Sequence, residues 1–184
     1  NASTSTLSQD GGVVATNLLT SPNPTVATWI TSGSLTSTDS ANGIVLTCTN
    51  PGDNYVEINV SVQPNTAYVL VADLTRLDST TWFNGPFFAY EMHDGNIVTT
   101  YENIRINGFT LTTSPDTDVL RIRLYAANGA AGDVAVWRNI GMYTAADWAA
   151  MQSLGVTWFS GDTMTPEIAP LVDSYANVSI RGAF

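Results

Sequence analysis

Residues 55–62 read YVEINVSV. Val56, Ile58, Val60 and Val62 alternate with Glu57, Asn59 and Ser61, the two-residue period of a strand with one face in a core and the other toward water. Residues 119–125, VLRIRLY, repeat the pattern with Leu120, Ile122 and Leu124 opposed to Arg121 and Arg123. Residues 67–74, AYVLVADL, are apolar on both faces at their centre, as expected of a strand in the middle of a sheet. Outward from these lie further short runs: VVATNLL, TVATWI, GIVLTCT, PFFAYEM, NIVTTYE, RINGFTLTT and DVAVWRNIGMY. They are separated by SPNP, SANG, NPGDN, QPNT, FNGP, HDGN, SPDTD and NGAAGD, turn sequences in which glycine and asparagine tolerate positive φ and proline blocks continued pairing. About ten short strands with no helix between successive ones predict an all-β antiparallel sandwich or jelly roll, not an α/β fold.

One segment departs from this pattern. In TAADWAAMQSLG, Thr144 offers an N-cap, Asp147 places negative charge near a helix start, and Gly155 supplies a stop. A short helix is expected, with Trp148, Met151 and Leu154 forming an apolar stripe that needs a surface to cover, on this sandwich or on a neighbouring subunit. Three parts result: a flexible lead-in or linker over residues 1–12, a sandwich over 13–143, and a helix plus C-terminal assembly segment over 144–184. Removing the last part is expected to leave a soluble sandwich. The chain begins at Asn1 without methionine, which reads as a processed start or an excised segment.

The chain has 184 residues, 44% hydrophobic and 12% charged, which suits one folded domain and excludes the composition of disorder. Sixteen acids oppose six bases, all arginine, for a net charge of −10. Such a surface repels phosphate, so neither nucleic acid nor an anionic membrane is an expected partner, and no apolar run is long enough to span a bilayer. Cys48 is the single cysteine, in an alternating run where a small buried residue is expected; it excludes an internal disulfide and a Cys-rich zinc site. His93 is the single histidine, in the turn-like MHDGN. With no GxSxG elbow and no lysine for a phosphate loop, neither a hydrolytic triad nor a nucleotide site is expected. Paired carboxylates remain, with Glu57, Glu91 and Glu102 on predicted strands as candidates for glycoside hydrolysis. Binding fits better than turnover. Trp82, Phe83, Phe87, Phe88, Tyr90 and Tyr101 crowd the middle of the chain, and an aromatic sheet face beside carboxylates suits sugar rings. Trp82, Tyr90, Glu91 and Tyr101 are the ligand-binding candidates; core packing of the same aromatics is the competing reading.

The run NLLTSPNPTVATWITSGS, followed by many short strands and DVAVWRNIGMY, resembles carbohydrate-binding-module-like jelly rolls of galactose-binding-like architecture, on Asn17, Leu18, Leu19 and Trp29. The ending WRNIGMYTAADWAAMQSLGVTWFSGDT resembles that of minor tail and other virion proteins of phages infecting actinobacteria, on Trp158, Phe159, Gly161, Asp162 and Thr163. The first resemblance spans roughly residues 13–143 and is diffuse; the second covers about thirty residues and is the more specific. Together they imply a non-enzymatic virion protein, a tail component or capsid decoration, partnered by other virion proteins or copies of itself and adhering to a cell-surface glycan. In this reading Trp148, Met151, Leu154, Trp158 and Phe159 are an assembly anchor. The alternatives are a carbohydrate-binding module of a secreted glycan-degrading enzyme and, in a third class, a glycosidase. The jelly-roll resemblance also implies a structural calcium, but SPNPTVATW carries no acid and Asn139 stands where aspartate is usual. That counts against any cofactor and leaves Asp133 and Asn139 as weak ligand candidates.

Overall fold

Alternation decides which side of each strand faces inward, and the structure follows it closely. We describe a computed structural model, covering residues 5–9, 12–19, 29–40, 43–78, 87–102, 108–126 and 130–159. Its strands are β1 (Ser5–Gln9), β2 (Gly12–Asn17), β3 (Ile30–Ser32), β4 (Leu35–Ser40), β5 (Gly43–Cys48), β6 (Tyr55–Ser61), β7 (Ala67–Leu77), β8 (Phe87–His93), β9 (Asn96–Tyr101), β10 (Phe109–Thr112), β11 (Val119–Tyr125) and β12 (Val134–Thr144). Helix α1 (Ala145–Ser153) follows β12 directly. Two antiparallel five-stranded sheets form the sandwich, in the orders β10-β7-β12-β5-β4 and β3-β6-β11-β8-β9, with β1 and β2 as a separate hairpin.

The core between the sheets is the inward set read from sequence: Val56, Ile58 and Val60 of β6, Leu120, Ile122 and Leu124 of β11, and Leu70, Ala72 and Trp137 from the facing sheet. Leu19 and Trp29, which carry the jelly-roll resemblance, lie in the same cluster. Asn17, fully buried, accepts through Oδ1 from the backbone N–H groups of Leu19 and Met142 and so fixes the chain's entry to the sandwich. Cys48 is buried as expected, and His93 is exposed beside the Asp94–Gly95 turn, whose two positive φ angles make the hairpin that joins β8 to β9.

Three expectations change. Residues 5–9, assigned to a linker, form β1 against β2, and SLTSTDS, not read as a strand, contains β4 paired along its length with β5. Both are polar, so the apolar alternation that marks a half-buried strand is missing from them. The boundary at residue 143 also does not separate two packing units. Val69 and Val71 of β7 point out of the sandwich and form a second buried cluster with Ala15, Tyr143, Met151 and Phe159. The apolar centre of β7 thus has two covers, the facing sheet on one side and α1 with the following segment on the other.

Gly43 begins β5 where a side chain has no room. A Cβ there would collide with the carbonyl oxygen of Trp137. Gly43→Ala is therefore expected to force β5 and β12 apart and destabilise the fold by about 1–3 kcal/mol. A denaturation midpoint unchanged from the parent would contradict the close approach.

Candidate functional site

Because β11 lies between β6 and β8, the polar faces of three strands join into one surface. Cross-strand neighbours on it are Tyr125 and Tyr55, Arg123 and Glu57, and Arg121 with both Asn59 and Tyr90. Arg123 is the centre. Its Nε donates to Glu57 Oε2 at 2.8 Å, and its guanidinium carbon lies 4.0 Å from the Tyr55 ring centre and 4.8 Å from that of Tyr90. A guanidinium held by a carboxylate and two aromatic faces is already ordered, so little conformational entropy remains to be lost on binding. Arg121 Nε donates to Asn59 Oδ1 at 3.2 Å and approaches Glu57 within 3.9 Å. The rings of Tyr55 and Tyr125 are 5.3 Å apart and tilted by 48°. Burial pushes the Tyr125 hydroxyl well above the usual phenol range, keeping it neutral. The surface therefore carries two guanidiniums and the Glu57 carboxylate among phenols, with the Asp53 carboxylate close enough to act on the Tyr125 hydroxyl.

Of the sequence-derived ligand candidates, the structure brings only Tyr90 to this surface. Tyr90 and Glu91 are adjacent in one strand and must point to opposite sides of the sheet. Glu91 points inward, opposite Leu120 in the register, and is fully buried. Its Oε1 accepts from Tyr101 Oη at 2.5 Å; its Oε2 accepts from Thr117 Oγ1 at 2.5 Å and the Ser114 backbone N–H at 2.8 Å. Burial opposes its charge, but the bonds from Thr117, Tyr101 and Ser114 together outweigh burial and hold its pKa below the ordinary value. Burial and the bond to Glu91 push the Tyr101 hydroxyl up to about 12. Tyr101 also packs edge-on against Phe109, with ring centres 5.7 Å apart. Glu91 and Tyr101 thus hold the β10–β11 connection to β8 and β9 and are corrected from ligand contacts to an interior network. Phe87 is likewise a core residue, beside Trp137. Trp82 lies outside the described residues.

The residues that sequence reasoning missed are Tyr55, Asn59, Arg121, Arg123 and Tyr125, while Glu57, read there as a candidate hydrolytic acid, is the ion-pair partner of Arg123. Alternation had placed most of them on a polar face, but only the strand order shows that separate polar faces are one array. Glu57 and Glu91, two of the proposed glycosidase acids, lie on opposite sides of a sheet and cannot flank one bond.

The five anchor residues have partners inside this chain. Met151 and Phe159 are buried, while Trp148, Leu154 and Trp158 pack around them. Thr144 caps the helix by accepting from the Asp147 N–H, and Asp147 Oδ2 accepts from the Thr16 N–H at 3.0 Å, tying α1 to β2. Leu154 ends the helix and Gly155 follows at φ +71°. Gly161, Asp162 and Thr163 lie outside the described residues. The weak metal candidates do not meet: Asp133 Oδ2 accepts from the Ala130 N–H and Asn139 Nδ2 donates to Asp73 Oδ2. Six residues of strand would hold them about 20 Å apart, so they cannot share a cation.

No protein-family model matches the chain, and no curated protein matches it. Solved structures are similar to it in fold. The tailspike protein 4 enzymatically active domain of bacteriophage CBA120 has a TM-score of 0.48 and 14% identity, covering 70% of this chain and 21% of its own. The accessory secretory protein 1, 2 and 3 structure from Streptococcus pneumoniae has a TM-score of 0.44 and 12% identity, covering 60% of this chain and 85% of its own. A CBM4 structure has a TM-score of 0.40 and 13% identity, covering 60% and 77%. The chain spans about a fifth of the tailspike domain that it is similar to.

Proposed function

We propose that this chain is a non-enzymatic β-sandwich of a bacteriophage particle, a minor tail or capsid decoration component, whose Arg123-centred sheet face adheres to host-surface glycans. The observation that carries the adhesive part is the contiguous array of Tyr55, Tyr90, Tyr125, Arg121, Arg123, Glu57 and Asn59, joined across β6, β11 and β8. Guanidinium and amide N–H groups donate to sugar oxygens, the carboxylate accepts from hydroxyls, and aromatic ring faces meet the apolar C–H faces of sugars. Asn59 is exposed, Tyr55, Glu57, Arg121, Arg123 and Tyr125 are half-buried and Tyr90 is buried, so a glycan would lie over the array and contact the outer edges of its side chains. The particle assignment is supported by the resemblance of the ending from Trp137 to Thr163 to virion proteins. Binding without turnover is supported by Glu91, the one fully buried acid among the described residues, whose oxygens are engaged by Thr117, Tyr101 and Ser114.

Antibody labelling of purified particles tests the location, and an array of bacterial cell-wall glycans tests the adhesion. Arg123→Ala is expected to weaken array binding by about tenfold or more, the loss of a charge-assisted donor set. Arg123→Lys should restore charge but not the planar fork, and so should recover only part of the affinity. Binding equal to the parent in both variants would remove the sheet face from the function. Strong glycan binding with no particle association would favour a carbohydrate-binding module of a secreted enzyme.

A further inference from the structure

On the opposite side of the sandwich from the Arg123 face, a cavity of about 420 Å³ opens between β7, β12 and α1. Its wall consists of Val71, Asp73, Asn139, Trp148, Gln152, Thr157 and Trp158. The volume falls in the range of small-molecule sites, which runs from about 300 to 1,000 Å³. Local geometry explains why these residues meet. Val71 and Asp73 are two apart on β7 and share its outer face, and Trp148 and Gln152 are four apart on α1 and share one helix face.

Asn139 reaches the cavity by a different route. The ladder between β12 and β7 is interrupted between Arg138 and Gly141, and Asn139 within the interruption has φ +51°. A bulge in a central strand re-aims a side chain at a cost in pairing, and a left-handed non-glycine residue costs more again; both concentrate at functional sites. Here the backbone turn sets Asn139 beside Asp73, its Nδ2 donating to Asp73 Oδ2 at 2.7 Å, while Ile140 remains in the core. The carbonyl of Ile140 accepts from the Trp158 indole N–H at 2.9 Å, which fixes the second tryptophan against the bulge. Trp148 is braced separately, its ring 5.8 Å from that of Tyr143 and its edge against Gly108.

We infer that this cavity is a second binding site, specific for a single neutral pyranose unit such as the terminal residue of a glycan. Two braced indoles offer apolar surface for the C–H faces of a sugar ring. Asp73 accepts, Asn139 and Gln152 each supply amide groups that donate or accept, and Thr157 does both, matching a ligand whose every hydroxyl donates and accepts. Among the described residues of the wall Asp73 alone is charged, and Arg138 stands opposite it in the β12–β7 register, so the pair brings no net charge to the site and a neutral sugar is favoured over uronic acids, sialic acids and phosphorylated sugars. The inference extends the glycan reading to a separate site, and it fails or stands independently of Arg123.

The test is a titration of the full chain with methyl glucopyranoside, galactopyranoside and mannopyranoside, glucuronic acid and choline, followed by tryptophan fluorescence and NMR. At least one neutral pyranoside is expected to bind saturably, with glucuronic acid and choline inert. Asn139→Gly removes the side chain while keeping a residue at ease with positive φ, so the fold should persist. Binding should weaken by about tenfold in Asn139→Gly and in Gln152→Ala, a change at an exposed position, as expected for lost hydroxyl hydrogen bonds. Arg123→Ala should leave this binding intact. Failure of every neutral pyranoside, choline binding in their place, or full affinity in Asn139→Gly would overturn the inference. Loss of monosaccharide binding in Arg123→Ala alone would assign the sugar to the sheet face instead.

Discussion

Replacing Phe159 with alanine is expected to lower the free energy of unfolding by about 3–5 kcal/mol, the range for deleting a buried phenyl ring. The reason lies in the layer outside the β7–β12 face. Phe159 is 1% exposed and its ring centre lies 5.5 Å from that of Tyr143, which is itself fully buried. Burial also pushes the Tyr143 hydroxyl well above the usual phenol range, as befits an interior ring. Around the pair lie Val69 and Val71 from β7, Ala15 from β2 and Met151 from α1. Removing the phenyl ring would open a cavity beside Tyr143, and truncation after Thr144 would expose the cluster that Met151 and Phe159 complete. Truncated protein is therefore expected to be insoluble or unfolded, and Phe159→Ala to unfold at a lower urea concentration with little change in the slope of the transition. A shift below about 1 kcal/mol would mean that the layer is peripheral, as the reading of residues 144–184 as an appendage holds.

The contrast shows which physical signals a sequence carries. Alternation in YVEINVSV and VLRIRLY declared both the strands and their inward faces, because burial imposes a period of two wherever one side of a strand is wet. The cap at Thr144 and the stop at Gly155 were equally plain, since they satisfy local backbone groups. AYVLVADL carried a further message: a strand apolar on both faces needs a cover on each, and the stripe Trp148–Met151–Leu154 was the cover available. Sequence leaves open which surface a stripe covers, so the intramolecular contact could not be separated from an assembly anchor. Strand order was invisible for the same reason. Glu57, Arg123 and Tyr90 lie far apart along the chain, and nothing local to any of them indicates that β11 sits between β6 and β8. The pairing of Tyr90 with Glu91 as joint ligand contacts, by contrast, could have been rejected from alternation alone.

Glu91 is where the two largest expected effects diverge in kind, because its contribution depends on pH. Glu91→Ala would leave the buried Thr117 Oγ1 and the half-buried Tyr101 Oη and Ser114 N–H without their acceptor, at about 1–3 kcal/mol for the buried group and less for each that water reaches, so a total loss of about 3 kcal/mol is expected at neutral pH. Glu91→Gln keeps the shape but not the chemistry. Its amide has one accepting oxygen where the carboxylate has two, and its NH₂ would face a donor, so the variant should also be destabilised. The folded-state pKa of Glu91 is depressed relative to the ordinary value of 4.5, so its stabilising effect is complete above that value and is lost as pH falls through the folded-state pKa. The gap between parent and Glu91→Gln should therefore be widest at neutral pH and narrow in acid, as protonation turns the parent's carboxyl into a neutral group too. Urea unfolding of both proteins across that range reads it directly. A gap that stays constant with pH would show that the carboxylate charge contributes nothing, and that the interior network is held by shape alone.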